Sequence, residues 1–315
     1  MQAVILAAGG GSRLNPLTLT RSKAMLPILG KPMIRRVMDN IAGCGIRDFI
    51  VVASPHDREL IHYLEQRQVE HVQMTYQSPA RGAADALLHA AALIEGDFLL
   101  SACDNLVPLP DLQGMLDCWR SGAAPKGLLA LLPIPTAEIS SAGIVELDGE
   151  WVVRIVEKPA LAEAPSNIAS LPLYYFRPDL LAYLPRVQPS LRGEYELQDA
   201  IQMLIDALGG VRGIHIQSRM TLTRAEDLLA LNRHFLALQG DHSLPSPQDI
   251  PPEICLYPPV RIEPGAQIGA GCTIGPEAYL EAGCRLGDGV RIQQSVVLRG
   301  AVIPAGANIS GQVVT

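Results

Sequence analysis

Aliphatic residues recur every six positions near the carboxyl end of this 315-residue chain: Ile262, Ile268, Ile274, Leu280, Leu286 and Ile292. Gly265, Gly271, Gly283 and Gly289 fall three positions after four of them, and small or acidic residues often follow directly, as at Glu263, Gly269 and Glu281. A period of six with one inward aliphatic residue per side predicts a left-handed parallel β-helix. The phase slips by one near Arg299 and resumes at Ile303 and Ile309. The run makes about three coils, few for a free-standing solenoid. It is expected to pack on a neighbour and to serve assembly, which predicts a homo-oligomer.

The residues before this run have another character. From residue 1 to about 238, short β-rich runs alternate with amphipathic stretches. Candidate strands are Ala3–Leu6, Phe49–Val52, His71–Tyr76, Phe98–Ser101, Gly127–Leu132, Gly143–Leu147, Val152–Val156, Leu173–Phe176 and Val211–Ile216. Candidate helices are Met33–Gly43, Asp57–Gln66, Ala83–Ile94, Leu112–Arg120, Glu196–Leu208 and Ala225–Leu238. Such alternation predicts an α/β domain with a doubly wound, mostly parallel sheet. Ligands then gather at the carboxyl ends of the strands. Six prolines between Pro245 and Pro259 suit an extended linker. The predicted division is therefore 1–238, a linker at 239–259, and the hexad run at 260–315.

Bulk properties exclude some classes. Aromatics are only 4% of the chain, so aliphatic packing must dominate the core. The net charge of −7 argues against nucleic-acid binding. No run of about 18 apolar residues suggests a membrane span. The amino end lacks a basic start and a clean cleavage site, so it does not read as a signal peptide. Six cysteines form no CxxC pair and read as reduced thiols of a cytoplasmic protein.

Against that acidic background, the first 38 residues carry six basic side chains and no acidic one. The apolar run Ala3–Ala8 ends in Gly9-Gly10-Gly11, and Arg13, Arg21, Lys23 and Lys31 follow among prolines. A strand feeding a glycine turn presents backbone N–H groups that cradle phosphate oxygens, while Arg and Lys neutralise their charge. An acidic protein needs such a local positive pocket to hold a nucleoside triphosphate. Ala8, Gly9 and Gly10 are thus candidate nucleotide-binding residues.

The segment LAAGGGSRLNPLTLTRSKAMLPILGKPMI resembles the sugar-1-phosphate nucleotidylyltransferases in kind and spacing over about 30 residues. The resemblance implies a Rossmann-like nucleotidyltransferase domain. It also implies a reaction in which a nucleoside triphosphate and a sugar 1-phosphate give an NDP-sugar and pyrophosphate. Arg13 and Lys23 match the family's catalytic cations on the triphosphate. Arg21, Lys31, Arg35 and Arg36 read as surface charges. Gln77 and Gly82 match the base-reading loop, and an amide offering donor and acceptor favours UTP or dTTP. Asp104 ends an apolar strand and matches a Mg²⁺ ligand, consistent with the ion's preference for carboxylate and phosphate oxygens. Gly143, Glu157, Lys158 and Ser170 fall at the sugar-phosphate positions, and Glu194 and Glu196 line or support that side. Glucose 1-phosphate is the first expectation for the sugar.

Departures from the family pattern also appear. The family's Asn-x-Gly is Ser170-Leu171-Pro172 here, which replaces an amide by a hydroxyl and a glycine by a rigid imino acid. Thr221 stands where the family carries a second metal-binding Asp, and a hydroxyl is the poorer Mg²⁺ ligand. These changes motivate an alternative: a catalytically weakened, nucleotide-sugar-binding or regulatory subunit of the same fold. In some relatives the β-helix carries an acetyltransferase with a histidine base. No histidine follows His242, so acetyl transfer is not expected.

Overall fold

The computed structural model describes residues 1–66, 71–121, 125–239 and 253–315. Most of the predicted linker at 239–259 lies outside these residues. The described chain divides into two compact units, one of residues 1–10 and 37–219, the other of residues 11–36 and 220–315. This spatial grouping differs from the division along the sequence at 238. It assigns residues 11–36 and the helix before the linker to the same unit as the hexad run.

The first unit is built on nine strands: β1 Gln2–Leu6, β2 Asp48–Ala53, β3 Val72–Tyr76, β4 Phe98–Ala102, β5 Gly127–Pro133, β6 Gly143–Asp148, β7 Trp151–Glu157, β8 Ile168–Phe176 and β9 Val211–His215. Their order in the sheet is β3-β2-β1-β4-β8-β5-β9-β7-β6. The strands β3, β2, β1 and β4 are parallel, in register Gln2↔Asp48 and Gln2↔Phe98. The sheet as a whole is mixed, which corrects the expectation of a mostly parallel one. Strand β8 runs antiparallel to β4, β5 and β6, and β7 runs antiparallel to β6 and β9. Strands β6 and β7 are separated only by Gly149 and Glu150, a connection long enough for a hairpin and too short for a parallel crossover.

Central strands are buried along nearly their whole length. Ala3, Val4 and Ile5 of β1 are fully buried, as a strand covered on both faces requires. Val4, Ile50, Val52, Phe98, Leu100, Leu129, Tyr174 and Phe176 share one core with Leu87, Leu197, Ile201 and Leu204. Each such side chain contributes about 1.5–3 kcal/mol by leaving water. Of the helices α1 (Met33–Ala42), α2 (Arg58–Gln66), α3 (Ala83–Ala90), α4 (Leu109–Arg120) and α5 (Leu197–Leu208), α3 packs on β1, β2 and β3, and α5 packs on β7. No helix among the described residues is long and apolar enough to cross a membrane.

In the second unit, residues 254–314 form parallel sheets of four, four and three short strands. This arrangement is consistent with a β-helix. Ile262, Ile274, Leu280, Leu286, Ile292, Val297 and Ile303 fill its interior. Partners in the earlier coils are 18 residues apart, as in Thr273↔Arg291, and later ones 17 apart, as in Tyr279↔Val296. The shortening falls between the strands Arg291–Gln293 and Val296–Val297, not near Arg299. Gln294 takes a positive φ there, and the fully buried Ser295 donates to Gln293 O at 2.6 Å. Val297, rather than the next residue in strict sixfold phase, therefore faces inward. The helix α6 (Ala225–Gln239) packs on this coil and on the short strand Pro27–Ile28. Its fully buried Asn232 donates to Pro27 O and Leu228 O and accepts from Leu29 N at 2.9 Å, so every arm of the amide is satisfied.

Candidate active site

Two neighbouring parallel strands deliver their carboxyl ends to one place. Leu6 pairs with Ala102, and Cys103 N donates to Leu6 O at 3.1 Å. The chain beyond β1 carries Ala8, Gly9 and Gly10, and the chain beyond β4 carries the buried Asp104. A glycine turn and a carboxylate thus share one edge of the sheet, as the sequence predicts.

A cavity of about 450 Å³ opens there, within the usual size of small-molecule sites. Ala8, Gly9 and Gly10 line one part of it, and Gln77 and Gly82 another. All five predicted nucleotide-binding residues are therefore brought together. Gly82 has φ +110°, and a Cβ at this position would sit 2.5 Å from Tyr195 O. Only glycine serves here. Tyr195 N donates to Arg81 O and Ala84 N donates to Tyr195 O, so the loop entering α3 is tied down on both sides of Gly82.

Tyr174 and Gln198, for which the sequence signals no role, both line the cavity beside Glu194 and Pro172. Gln198 also lies beside residues that the sequence predicts to bind the sugar phosphate. A Cβ on Gly143 would stand 3.0 Å from Glu157 Oε2 and 3.1 Å from Gln198 Nε2. Gly143, Glu157 and Gln198 therefore converge. Gln198 falls in the first turn of α5, and its place beside Gly193–Asp199 is the one sequence signal that could have found it.

Glu157 is the most informative of this group. Its Oε1 pairs with Lys158 Nζ at 3.2 Å, while the buried Oε2 has no hydrogen-bond partner among the described residues. Burial pushes its carboxyl up, against the opposing pull of Lys158. An unpartnered buried carboxylate oxygen is costly unless a ligand donor meets it. Lys158 itself has φ +46°, a left-handed conformation that costs a side-chain-bearing residue about 1–3 kcal/mol and is typical of functional sites. Ser170 does not line the cavity. It is buried, and its hydroxyl donates to Tyr174 Oη at 3.0 Å. Glu196 is likewise a support, accepting from Ser190 and Arg192 at 2.9 and 2.8 Å.

Arg13 and Lys23 belong to the second unit, in the turns that follow the glycines. Arg13 is exposed and Lys23 half-buried. Arg21 is not the surface charge its sequence context suggests. Its buried guanidinium makes two bonds to Glu281, at 2.6 and 3.1 Å. Arg36 also has a structural role, donating to Ile28 O at 2.7 Å and lying 4.1 Å over the Phe235 ring. Thr221 lies in the two-residue strand Met220–Thr221 of this unit.

Among the described residues no cluster of three or more His, Cys, Asp or Glu forms a ready-made metal cage. The donor set still fits Mg²⁺, which is often held by one carboxylate together with substrate phosphates. Asp104 could supply that hard-oxygen ligand, and the neighbouring Asn105 amide is buried with neither polar atom hydrogen-bonded among the described residues.

The model of the nucleotidyl transferase family matches residues 2–211, and that of the GMPPB C-terminal domain matches residues 256–315. The chain is 33% identical to the UTP–glucose-1-phosphate uridylyltransferase AglF of Haloferax volcanii, over 72% of this chain and 93% of that protein. It is 32% identical to a bifunctional sugar-1-phosphate nucleotidylyltransferase/acetyltransferase of Sulfurisphaera tokodaii, over 65% of this chain and 48% of the relative. The chain thus spans about half the length of that bifunctional relative. A crystal structure of UDP-glucose pyrophosphorylase complexed with UDP-glucose shares the fold, with a TM-score of 0.67 at 22% identity over 75% of this chain and 98% of that one.

Proposed function

We propose, for a chain that belongs to the nucleotidyl transferase family, that it joins a nucleoside triphosphate to a hexose 1-phosphate and releases pyrophosphate. UTP or dTTP is the favoured nucleotide and glucose 1-phosphate the favoured sugar. The observation that carries this reading is the 450 Å³ cavity where the glycine turn meets the Gln77–Gly82 loop, with Asp104 on the same strand edge.

In this reading a sugar-phosphate oxygen attacks the α-phosphorus in line. The new P–O bond forms as the bond to the bridging oxygen of the β-phosphate breaks, and the electron pair leaves with pyrophosphate. Positioning and charge stabilisation carry such a reaction. Backbone N–H groups of the glycine turn hold phosphate oxygens, and Arg13 and Lys23 offset the charge that collects on the leaving group. Asp104 would hold Mg²⁺, which when bound supplies charge neutralisation on the phosphates. Glu157 accepts sugar hydroxyls, and Lys158 faces the sugar phosphate. The C-terminal coil is read as a left-handed β-helix that serves packing and self-assembly.

A grid of four nucleoside triphosphates against several sugar 1-phosphates, with Mg²⁺ and pyrophosphate release as readout, tests the reaction. Turnover is expected to peak with UTP or dTTP and glucose 1-phosphate. No turnover with any pair would overturn the reading. Binding without turnover would support the regulatory alternative.

Glu157→Gln separates function from stability. A carboxyl raised above its unfolded value favours the folded state only while it stays protonated. That contribution is lost as pH rises through the folded value. Once ionised, Glu157 therefore weighs against folding. The amide is expected to raise the thermal midpoint at pH 7.5, with the gain shrinking toward pH 4. It is also expected to lower kcat/KM for the sugar phosphate by about 10–100-fold, the worth of a charged acceptor. Calorimetry and initial rates check both signs.

A further inference from the structure

The side-chain amide of Gln77 has two hydrogens, and the structure occupies both. Nε2 donates to Asp85 Oδ2 at 2.7 Å and to Gly82 O at 3.0 Å. Gln77 is 3% exposed and lines the cavity. Its carbonyl oxygen is the polar group left to meet a ligand there. The reverse orientation would press that oxygen against a carboxylate and a backbone carbonyl, three acceptors with no hydrogen among them. The carboxylate of Asp85 is itself fixed. Its Oδ1 accepts from Arg81 Nη2 at 2.9 Å, and His89 Nε2 lies 3.7 Å from Oδ2. Asp85 occupies the first turn of α3, where the helix dipole favours an anion.

We propose that Asp85 is a specificity-determining residue: it locks Gln77 as an acceptor, so the cavity takes a nucleobase that presents a ring N–H flanked by carbonyl groups. Uracil and thymine present such an N–H at N3. Cytosine and adenine present a lone pair at the corresponding edge, and two acceptors then face each other across a buried contact. Sites built to bond one hydrogen pattern reject the opposite one strongly, because the buried group is left unpaired. Selection here follows the protonation pattern of the base rather than its ring size. The inference rests on the nucleotidyl-transfer reading and deepens it, since Asp85 acts through Gln77 and does not itself touch the substrate.

The test is calorimetric titration of UTP and of CTP into the full-length protein and its variants. The wild-type chain is expected to favour UTP by at least about 100-fold. In Asp85→Asn the facing amide accepts either orientation of Gln77, and the UTP-to-CTP ratio is expected to fall at least about tenfold. Asp85→Ala leaves the Gly82 carbonyl as a remaining constraint and is expected to fall between. Loss of the negative charge strengthens both nucleotides alike, and a general loosening weakens both alike, so the ratio reports the lock itself. A ratio unchanged in both variants overturns the proposal and leaves the nucleotidyl-transfer reading standing. If the wild-type chain binds neither nucleotide, that reading falls and the proposal with it.

Discussion

Lys23→Ala is expected to lower the rate of pyrophosphate release by about 10²–10³-fold, the usual effect of removing one preorganised charge or donor from a transition state. Its effect on folding is expected to be small. Gly11 O accepts from Leu14 N at 2.9 Å and from the Thr18 hydroxyl at 3.0 Å, so backbone and Thr18 bonds shape the turn. Gly11 has φ +62°, and a Cβ there would sit 3.3 Å from the Cβ of Lys23, which alanine keeps. Lys23→Arg is expected to restore only part of the rate, because a planar fork does not reproduce a compact point charge. The check is kcat by pyrophosphate release alongside the thermal midpoint by calorimetry. A rate within tenfold of the wild type removes Lys23 from the chemistry. A large fall in midpoint assigns it to the fold instead.

The parts of the molecule that were legible in the sequence share a physical basis. Strands β1 and β4 are short apolar runs that end abruptly, in Gly9-Gly10 and in Asp104. Parallel neighbours with the same direction must bring those ends to one edge. The hexad run was legible because its period repeats through every coil. Strand direction was not. Alternation in β6, β7 and β8 looks the same whether the neighbour runs parallel or antiparallel, and only the two-residue gap at Gly149-Glu150 hints at a hairpin. The exact place of the shortened coil was also hidden, since Val296, Val297 and Leu298 are three consecutive aliphatic residues and any of them could continue the phase. In the site, Gln77 was found by its motif, but its polarity was not, because Asp85 lies a helix turn further on and its aim depends on α3. Tyr174 reaches the cavity through the irregular register of β8 between Ser170 and Tyr174. Arg21 looked like surface because it stands among prolines and other cations, while its partner lies 260 residues away.

That pair carries the largest stability effect expected in the chain. The guanidinium of Arg21 and the carboxylate of Glu281 are bidentate, at 2.6 and 3.1 Å, with side chains 3% and 13% exposed. Glu281 Oε2 also accepts from Arg299 N at 2.8 Å, and nearby Gly30 N donates to Tyr279 Oη at 3.1 Å. Residues 21–30 are therefore held to the coil by polar bonds in a largely dry setting. Removing one member of a buried pair leaves the other charge uncompensated, at about 3–5 kcal/mol. Glu281→Ala is expected to destabilise the unit of residues 11–36 and 220–315 by that amount. Arg21→Met is expected to cost less, because the carboxylate keeps the Arg299 N–H. The double change Arg21→Met with Glu281→Leu is expected to recover most of the loss, since an apolar pair of similar volume avoids desolvating either charge. Denaturant titrations of Arg21→Met, Glu281→Leu and the double change measure this coupling through a double-mutant cycle, with Glu281→Ala measured beside them. A cost below about 1 kcal/mol for Glu281→Ala, the range of solvated ion pairs, would mean that water reaches the guanidinium and that the pair does not anchor the segment. A large cost recovered by the apolar pair would show that the coil holds the segment bearing Lys23 by packing and exclusion of water. The rate of the recovered variant would then report whether that segment needs the charge at position 21 or only its fixed geometry.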